Sequence, residues 1–312
     1  MVNQNSHAAY RNLQDEEIGQ LIHQGCSSTD WNLVQVSNDF IPDRVENSKF
    51  TGNIRLNSFN GFVNLVGGIT FKTGIYNAWL HNCEVGKDAL IHNVRSYIAN
   101  YKIGDNVVIH NITTLAVDGE STFGNGIKVE AINEGGGRDI PVYDFLSAHV
   151  AYIMSLYRHR PKLVTALKNM VYDYAGSVKS SLGVIGTGSK ILNTTTLLNI
   201  KTGPATFIDG AKKLKNGSIN SNFEAPVIIG EGVIMENFIV SSGSKVTDAT
   251  LVSNCFIGQG CFLDKHYSAF NSLFFANCQG FHGEACAIFA GPYTVTHHKS
   301  TLLIAGMFSL LN

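Results

Sequence analysis

Residues 85–116 read VGKDALIHNVRSYIANYKIGDNVVIHNITTLA, and an apolar side chain stands at every sixth position of this stretch. A period of six fits neither an amphipathic helix, with its period of 3.6, nor a plain strand, with its period of 2. It fits a solenoid in which three six-residue sides form an 18-residue coil and each side turns one apolar residue inward. Val85 should then stack near Ile103, and Ile91 near Ile109, at about one strand spacing of 5 Å. The apolar series consists of Val85, Ile91, Tyr97, Ile103, Ile109 and Leu115.

The same pattern returns after residue 184. Glycine follows the apolar residue at Val85, Ile103, Ile185, Ile229 and Ile257. Register slips near 198–202 and across 215–255 predict loops inserted at corners. The chain contains 31 Gly and 29 Asn in 312 residues. These residues accept left-handed backbone angles, so their abundance is expected at the corners of coils.

The patterns divide the chain into four parts: 1–74, 75–140, 141–182 and 183–312. The first part is predicted to hold a helix over 12–25 and short strands. The second and fourth are predicted β-helix blocks, and the third is a helical hairpin inserted between them. Its first helix should bury Val150, Ile153 and Tyr157, and its second Leu163, Leu167, Met170, Val171 and Tyr174, with Pro161 between the two helices.

Composition excludes several classes of protein. Charged residues make up 15% of the chain, hydrophobic residues 44%, and the formal net charge is −1, unlike a disordered chain, a coiled coil or a nucleic-acid binder. The first 20 residues are no secretory signal, and the apolar run near Leu302–Leu311 is too short to span a membrane. Six dispersed cysteines suggest no disulfide framework. We therefore expect a cytoplasmic protein without membrane or nucleic-acid partners.

The hydrophobic-glycine hexads resemble the left-handed parallel β-helix of the hexapeptide-repeat transferases. That resemblance implies an all-β solenoid, a homo-oligomer that is a trimer, ligand sites in clefts between subunits, and acyl-CoA as the donor of an acyl group. Four segments resemble the uncharacterised bacterial Domain of Unknown Function family 4954 over the whole chain. Members of that family are longer, so the end at Asn312 in an apolar stretch predicts a truncated chain. The four segments are 10–13 (YRNL), 117–121 (VDGES), 156–161 (LYRHRP) and 275–280 (FANCQG).

Family 4954 supplies no catalytic residue that can be carried over, whereas the resemblance to hexapeptide acyltransferases implies a histidine beside the β-helix. Candidate residues therefore come from the densest polar cluster, 276–299. An imidazole can act as a general base at neutral pH, which acyl transfer to a hydroxyl or amine requires. His298 is the first candidate base, with His282 and Glu284 next and Lys299 as a substrate contact. The alternative is that these side chains form a polar outer surface.

Two further sites follow from the sequence. The loop Asn133–Asp139, with three consecutive glycines and Arg138, could hold a phosphate or carboxylate, and Glu120 lies in a similar polar loop. The alternative is a flexible connector. Cys278, His282 and Cys286 are spaced by four and could bind zinc, as in a γ-carbonic-anhydrase-like enzyme. Without a Cys-x-x-Cys pair, however, we assign no metal ligand and identify no cofactor.

The sequence thus favours a transferase-like protein that transfers an acyl group to a sugar or nucleotide-sugar derivative. A noncatalytic β-helix scaffold or assembly module is the competing class.

Overall fold

β-Strands dominate the computed structural model of the chain, which describes residues 10–308. The final residues of the apolar run near Leu302–Leu311 therefore lie outside the described residues. Within residues 10–308, twenty-seven strands join one large sheet, nearly all in parallel pairs, and three α-helices accompany them. No helix in this range is both long and apolar enough to cross a membrane.

The strands of the large sheet fall into three ladders of stacked parallel neighbours. The first ladder contains β4 (Val45–Glu46), β8 (Gly74–Tyr76), parts of β10 (Leu90–Ile103) and β11 (Val108–Ala116), then β15 (Lys190–Leu192), β17 (Phe207–Asp209), β19 (Ile228–Ile229), β21 (Lys245–Val246), β23 (Phe262–Asp264), β26 (Gln279–Phe281) and β29 (Val295–Thr296).

The second ladder contains β2 (Ser27–Ser28), the starts of β5 (Lys49–Leu56) and β9 (Trp79–Val85), the middle of β10, the end of β11, the starts of β16 (Thr196–Thr202), β18 (Lys213–Asn220), β20 (Ile234–Ser241) and β22 (Leu251–Ile257), then β24 (Ser268–Phe270), β27 (Glu284–Cys286) and β30 (Thr301–Leu303).

The third ladder contains β3 (Val34–Ser37), the ends of β5, β9 and β10, β14 (Gly183–Ile185), the ends of β16, β18, β20 and β22, β25 (Leu273–Phe274), β28 (Phe289–Ala290) and β31 (Gly306–Met307). Three antiparallel pairs lie beside the ladders: β1 (Tyr10–Asn12) on β3, β6 (Phe62–Asn64) on β7 (Thr70–Lys72), and β12 (Lys128–Val129) on β13 (Ile140–Pro141).

The register of the ladders confirms the two stacking pairs that the sequence predicted. Val85 pairs with Ile103, and Ile91 pairs with Ile109. Such partners lie a whole coil apart in sequence, an arrangement that is compatible with a β-helix. The apolar residues at the ladder centres form one continuous buried cluster along the molecule.

The prediction that every member of the apolar series points inward is wrong at Tyr97. This side chain is 38% exposed, and the adjacent Ile98 is buried in its place. The pairing of β10 with β11 shifts between Val94 and Tyr97, so that Ile98 pairs with Leu115. One extra residue in this side of the coil breaks the spacing of six and turns Tyr97 outward.

The corners of the ladders use asparagine and glycine for different reasons. Fourteen asparagines have positive φ, and several hydrogen-bond to an asparagine of the next strand, such as Asn111 Nδ2 to Asn193 Oδ1 at 2.8 Å. Gly86 and Gly186, which follow buried residues of the third ladder, are not left-handed. A Cβ at Gly186 would lie 2.3 Å from the carbonyl carbon of Gly203. Glycine is needed there because neighbouring turns touch.

The three α-helices are α1 (Asp15–His23), α2 (Ala148–Leu156) and α3 (Pro161–Ser177). Pro161 is the first residue of α3, and Gly25 follows α1 with a φ of +80°. Short 3-10 turns occupy Trp31–Leu33, Pro42–Arg44 and Val66–Gly68.

Helices α2 and α3 cover an outward-facing apolar column of the third ladder, formed by Ile239, Phe256, Leu273 and Phe289. The predicted buried faces of these helices were partly wrong. Helix α2 buries Ala151, Met154 and Ser155, while Tyr157 is exposed. Helix α3 buries Val171 and Ala175, while Leu163 and Met170 are more than 40% exposed. Ala151, Met154 and Val171 belong to the same buried cluster as the column, so contact with the sheet decides which helix residues are buried.

Candidate functional site

Two histidines of adjacent strands form the most unusual polar contact in the described part of the chain. His92 of β10 pairs in register with His110 of β11, and their Nδ1 atoms are 2.9 Å apart. The ring planes differ by 4° and the centroids are 4.9 Å apart. Face-to-face rings at van der Waals contact could not bring two nitrogens within 2.9 Å. The rings therefore meet edge to edge in a hydrogen bond.

This contact fixes the tautomers of the two rings when both are neutral. One Nδ1 must carry the shared proton, so the donor ring has its lone pair on Nε2 and the acceptor ring has its proton on Nε2. Burial lowers the pKa of His110, and burial together with the neighbouring ring lowers the pKa of His92. Both rings are consequently neutral at pH 7, the state in which an imidazole can accept a proton.

The hairpin of β6 and β7 covers the histidine pair from outside. The Phe71 ring of β7 lies 4.7 Å from His92 and 6.3 Å from His110, measured between ring centroids. Beside these rings the hairpin and the first ladder enclose a groove of about 340 Å³. The hairpin contributes mainly Asn64, Leu65 and Ile69 to it, and the ladder contributes His110, Lys190, Asn193, Phe207 and Asp209.

A chain of side-chain hydrogen bonds runs along one edge of this groove. Arg95 donates to Asn111, Asn111 donates to Asn193, and Asn193 donates to Asp209, at 2.8–2.9 Å. The carboxylate of Asp209 is thereby held in place, as is the amide of Asn193. The groove thus combines a neutral imidazole, an ammonium group at Lys190, a fixed carboxylate and apolar walls.

Such a combination can perform general acid–base chemistry on a polar ligand. Concave sites with a few convergent polar groups and a histidine of shifted pKa are the usual places for it. We therefore call the groove beside His110 the His110 groove and take it as the candidate active site.

The residues predicted from the 276–299 cluster lie on the surface of adjacent coils, where the pairs Gly280–Thr296 and Glu284–Thr301 place the corner of His282 one coil from that of His298. His282, Glu284, His298 and Lys299 are all exposed to solvent. His282 and His298 occupy left-handed corner positions, with φ of 52° and 68°. Their proposed catalytic roles remain predictions.

The sulfur atoms of the predicted zinc set lie in different surroundings. Cys278 is buried in the central core, where its Sγ contacts the carbonyl oxygen of Gly291 at 3.2 Å. Cys286 contacts Glu134 Oε1 at 3.1 Å, and burial and this carboxylate raise its pKa to about 11. Within residues 10–308, no three His, Cys, Asp or Glu side chains are grouped as a metal site.

The predicted anion-binding loop satisfies its own amides. The N–H of Gly135 donates to Asn133 Oδ1 and that of Gly137 donates to Asp139 Oδ1, both at 3.2 Å. Arg138 is only partly exposed, and β13 separates the loop from α2. Glu120 forms an ion pair with Lys179 on the surface. The start of the loop that contains Arg138 contacts the 276–299 segment, because Ile132 N–H donates to the carbonyl of Ala287 at 2.8 Å and Glu134 contacts Cys286.

A signal for the histidine pair was present in the sequence but was missed. The tetrapeptides LIHN at 90–93 and VIHN at 108–111 are 18 residues apart, the length of one predicted coil. Extending the stacking rule from Ile91 and Ile109 by one residue places His92 beside His110.

Comparison with known proteins agrees with the sequence motifs. A family model described as "Domain of unknown function (DUF4954)" matches residues 10–312. The chain belongs to this family. It is similar to an uncharacterized protein of Treponema pallidum (strain Nichols), with 29% identity over 249 residues. The match covers 76% of this chain and 34% of the relative, so this DUF4954 chain spans about a third of that protein's length.

Proposed function

We propose that this DUF4954 chain is a left-handed β-helix of the hexapeptide-repeat transferase type, interrupted by a helical insert, and that its His110 groove transfers an acyl group. The neutral, hydrogen-bonded histidine pair at the groove carries this proposal. The register of the ladders and the hydrophobic-glycine hexads support the β-helix.

The proposed reaction uses His110 as a general base. With the shared proton on its own Nδ1, His110 presents the Nε2 lone pair to a bound hydroxyl or amine and removes its proton. The oxygen or nitrogen attacks the carbonyl carbon of a thioester, and the bond from that carbon to sulfur breaks. The leaving thiolate takes the proton from the imidazolium, which restores the neutral pair.

Two other groups of the groove support this chemistry. The ammonium of Lys190 offers positive charge to the oxyanion that forms on the thioester carbonyl. Asp209 can accept hydrogen bonds from the hydroxyl groups of a sugar substrate, and the amide of Asn193 can donate to them. An acyl-CoA donor and a sugar or nucleotide-sugar acceptor therefore remain the proposed substrates.

The test measures thiol release from acetyl-CoA, together with the mass of the product, over a panel of hexosamines and nucleotide-linked hexosamines. We expect the His110→Ala variant to lower turnover by roughly 10²- to 10⁴-fold, which is the usual contribution of a general base. The exposed His298 serves as the matched control, and His298→Ala should stay within about twofold of the unchanged protein.

Two results would contradict the proposal. Loss of turnover in His298→Ala but not in His110→Ala would show that the active site lies in the 276–299 cluster. No thiol release with any acceptor of the panel would exclude acetyl transfer to these sugars and favour the noncatalytic scaffold.

The scaffold alternative has one observation in its favour. Phe270, Cys286 and Leu303 stand in register on the outside of the second ladder, and Phe270 and Leu303 are 43% and 58% exposed. Cys286 is covered by Glu134, but the exposed Phe270 and Leu303 on either side of it suit self-association. We therefore propose a trimer, and a cytoplasmic location stays a prediction from the sequence. Light scattering that finds only the 33.9 kDa monomer at micromolar concentration would contradict the trimer.

A further inference from the structure

A second cavity lies where the start of α2 meets corners of the third ladder. It encloses about 420 Å³, and its walls include Phe145, Phe256 and Phe275 together with Asp144, Ser241 and Gln259. None of the residues that line it also lines the His110 groove. The volume is typical of a site for a small ligand. We call this cavity the α2 cleft.

Phe145 offers an aromatic surface to the α2 cleft. It is 72% exposed, the largest exposed fraction of any large apolar residue in the described range. Tyr143 and Tyr174 contact its ring edge-on, with centroids 6.3 and 5.5 Å away. These contacts fix the orientation of the ring, so its exposure is a standing feature of the fold.

Asp144, next to Phe145, is held by three hydrogen bonds. The hydroxyl of Tyr174 donates to one carboxylate oxygen at 2.7 Å, the amide of Asn220 donates to the other at 3.0 Å, and the backbone N–H donates to Asn125 Oδ1 at 2.9 Å. Burial and the contact with Asp144 raise the pKa of Tyr174, which keeps its hydroxyl protonated. Each carboxylate oxygen retains a lone pair with which it can accept a hydrogen bond from a ligand.

Ser241 lines the same cleft and has an unused hydroxyl. The residue is 8% exposed, and its Oγ forms no hydrogen bond within residues 10–308 and is not one of the buried side-chain atoms that lack a partner, so the hydroxyl is accessible from the cleft. Ser241 of β20 pairs in register with Asn220 of β18, and Asn220 is the residue whose amide donates to Asp144. An accessible hydroxyl without a protein partner can donate a hydrogen bond to a ligand in the cleft and accept one from it.

The charges of the cleft define the ligand further. Asp144 and His149 are the titratable residues of the lining, and no Lys or Arg side chain contributes to it. The N-terminus of α2 is already capped, because Ser147 Oγ accepts from the N–H of Val150. A phosphate group would therefore meet a carboxylate and no cation.

We propose that the α2 cleft binds a pyranose sugar that is uncharged or carries an amino group. Its ring lies on the face of Phe145, and its hydroxyl groups hydrogen-bond to Asp144 and Ser241. This arrangement joins an apolar face to polar edges, as the two faces and rim of a pyranose require. The site is separate from the His110 groove and does not depend on acyl transfer.

Saturation-transfer NMR and isothermal titration with glucose, glucosamine, N-acetylglucosamine and glucose 6-phosphate test this proposal on the whole chain. We expect saturable binding of at least one of the first three sugars and the weakest binding for glucose 6-phosphate. Phe145→Ala should raise the dissociation constant about tenfold through the lost stacking contact. Ser241→Ala should raise it roughly threefold or more through the lost hydrogen bond.

Two controls separate binding at the α2 cleft from other causes. Phe223→Ala removes an aromatic ring that is 64% exposed but does not line the cleft, and it should leave the dissociation constant unchanged. Phe145→Ala should weaken sugar binding equally in the unchanged protein and in the His110→Ala variant, so failure of the acyltransferase proposal is distinguishable from failure of this one. Circular dichroism confirms that each variant folds.

The proposal is overturned by any of three results. These are the absence of saturable binding of glucose, glucosamine and N-acetylglucosamine, equal losses in Phe145→Ala and Phe223→Ala, or a preference for glucose 6-phosphate over the other sugars. Water alone would then bond to the accessible Ser241 hydroxyl.

Discussion

The His92–His110 pair and the 276–299 segment show two different relations between sequence and spatial arrangement. The two histidines are 18 residues apart and share a hydrogen bond. The segment packs two Cys, three His, one Glu and one Lys into 24 residues, and its side chains point to the core, to solvent or to a neighbouring loop. In stacked parallel ladders, residues one coil apart are neighbours, whereas residues close in sequence sit on different faces and corners.

The largest expected effect is on the free energy of unfolding at Tyr97 and Ile98, where the spacing of six fails. Ile98 is fully buried and Tyr97 is 38% exposed. We expect Ile98→Ala to lower the free energy of unfolding by about 2–5 kcal/mol, because it leaves a cavity in the core. Tyr97→Ala should lower it by less than about 1 kcal/mol, since only its partial packing is lost.

Urea denaturation followed by circular dichroism measures both variants. An equal loss for the two variants, or a larger loss for Tyr97→Ala, would show that the register shift in β10 is wrong.

The next effect concerns how His92 positions His110. With His110 as proton donor to His92, His92 holds the lone pair of His110 on Nε2, the nitrogen that we propose accepts the substrate proton. His92→Leu should therefore lower turnover roughly tenfold or more and move the acidic limb of the profile of kcat/KM against pH. The corresponding change at His297, an exposed histidine stacked on Phe281, should leave turnover and the profile unaltered.

A turnover loss in His92→Leu without any movement of the pH profile would argue that His92 only packs against Phe71. In that case Phe71→Ala should reproduce the loss.

A smaller effect is expected on stability as a function of pH. Burial lowers the pKa of both histidines in the folded state relative to an unfolded value near 6.5. The unfolded chain therefore binds more protons below that value, and the pair's contribution to stability is complete above pH 6.5 and declines as the pH falls below it. Because both rings remain partly in water, we expect roughly 0.5 kcal/mol per ring after solvent screening.

Urea denaturation between pH 5 and 8 measures this dependence. The double variant His92→Gln, His110→Gln should flatten it, while the double variant His282→Gln, His298→Gln should not. A decline of equal slope in both double variants would locate the dependence elsewhere in the chain.

The sequence was sufficient for those features that repeat from coil to coil. The spacing of six identified Val85, Ile91, Ile103 and Ile109, and the asparagine content anticipated left-handed corners. The slip at Tyr97 was not readable, because Tyr97 and Ile98 are both apolar and only the pairing with Leu115 decides between them.

Features built from distant segments could not be read from the sequence. The α2 cleft depends on Asp144 bonding to Asn220, 76 residues away, and on Ser241 in the strand beyond it. The buried faces of α2 and α3 depend on the outward apolar column formed by Phe256 and its neighbours, which a helix periodicity does not show.

The smallest expected effect concerns zinc at the 276–299 segment. If Cys278, His282 and Cys286 held a zinc ion, its removal would lower stability greatly, because metal binding couples directly to folding. The geometry predicts the opposite. The Cys278 sulfur contacts backbone carbonyls within the core, the Cys286 sulfur contacts Glu134, and His282 faces solvent. Treatment with a chelator should therefore leave the melting temperature within about 1 °C, and elemental analysis should find well under one zinc per chain; the variant His282→Ala should match the untreated protein in both measurements. A stoichiometric metal that is lost in this variant would mean that the three side chains converge in solution, and that local composition predicted the site where the ladder register did not.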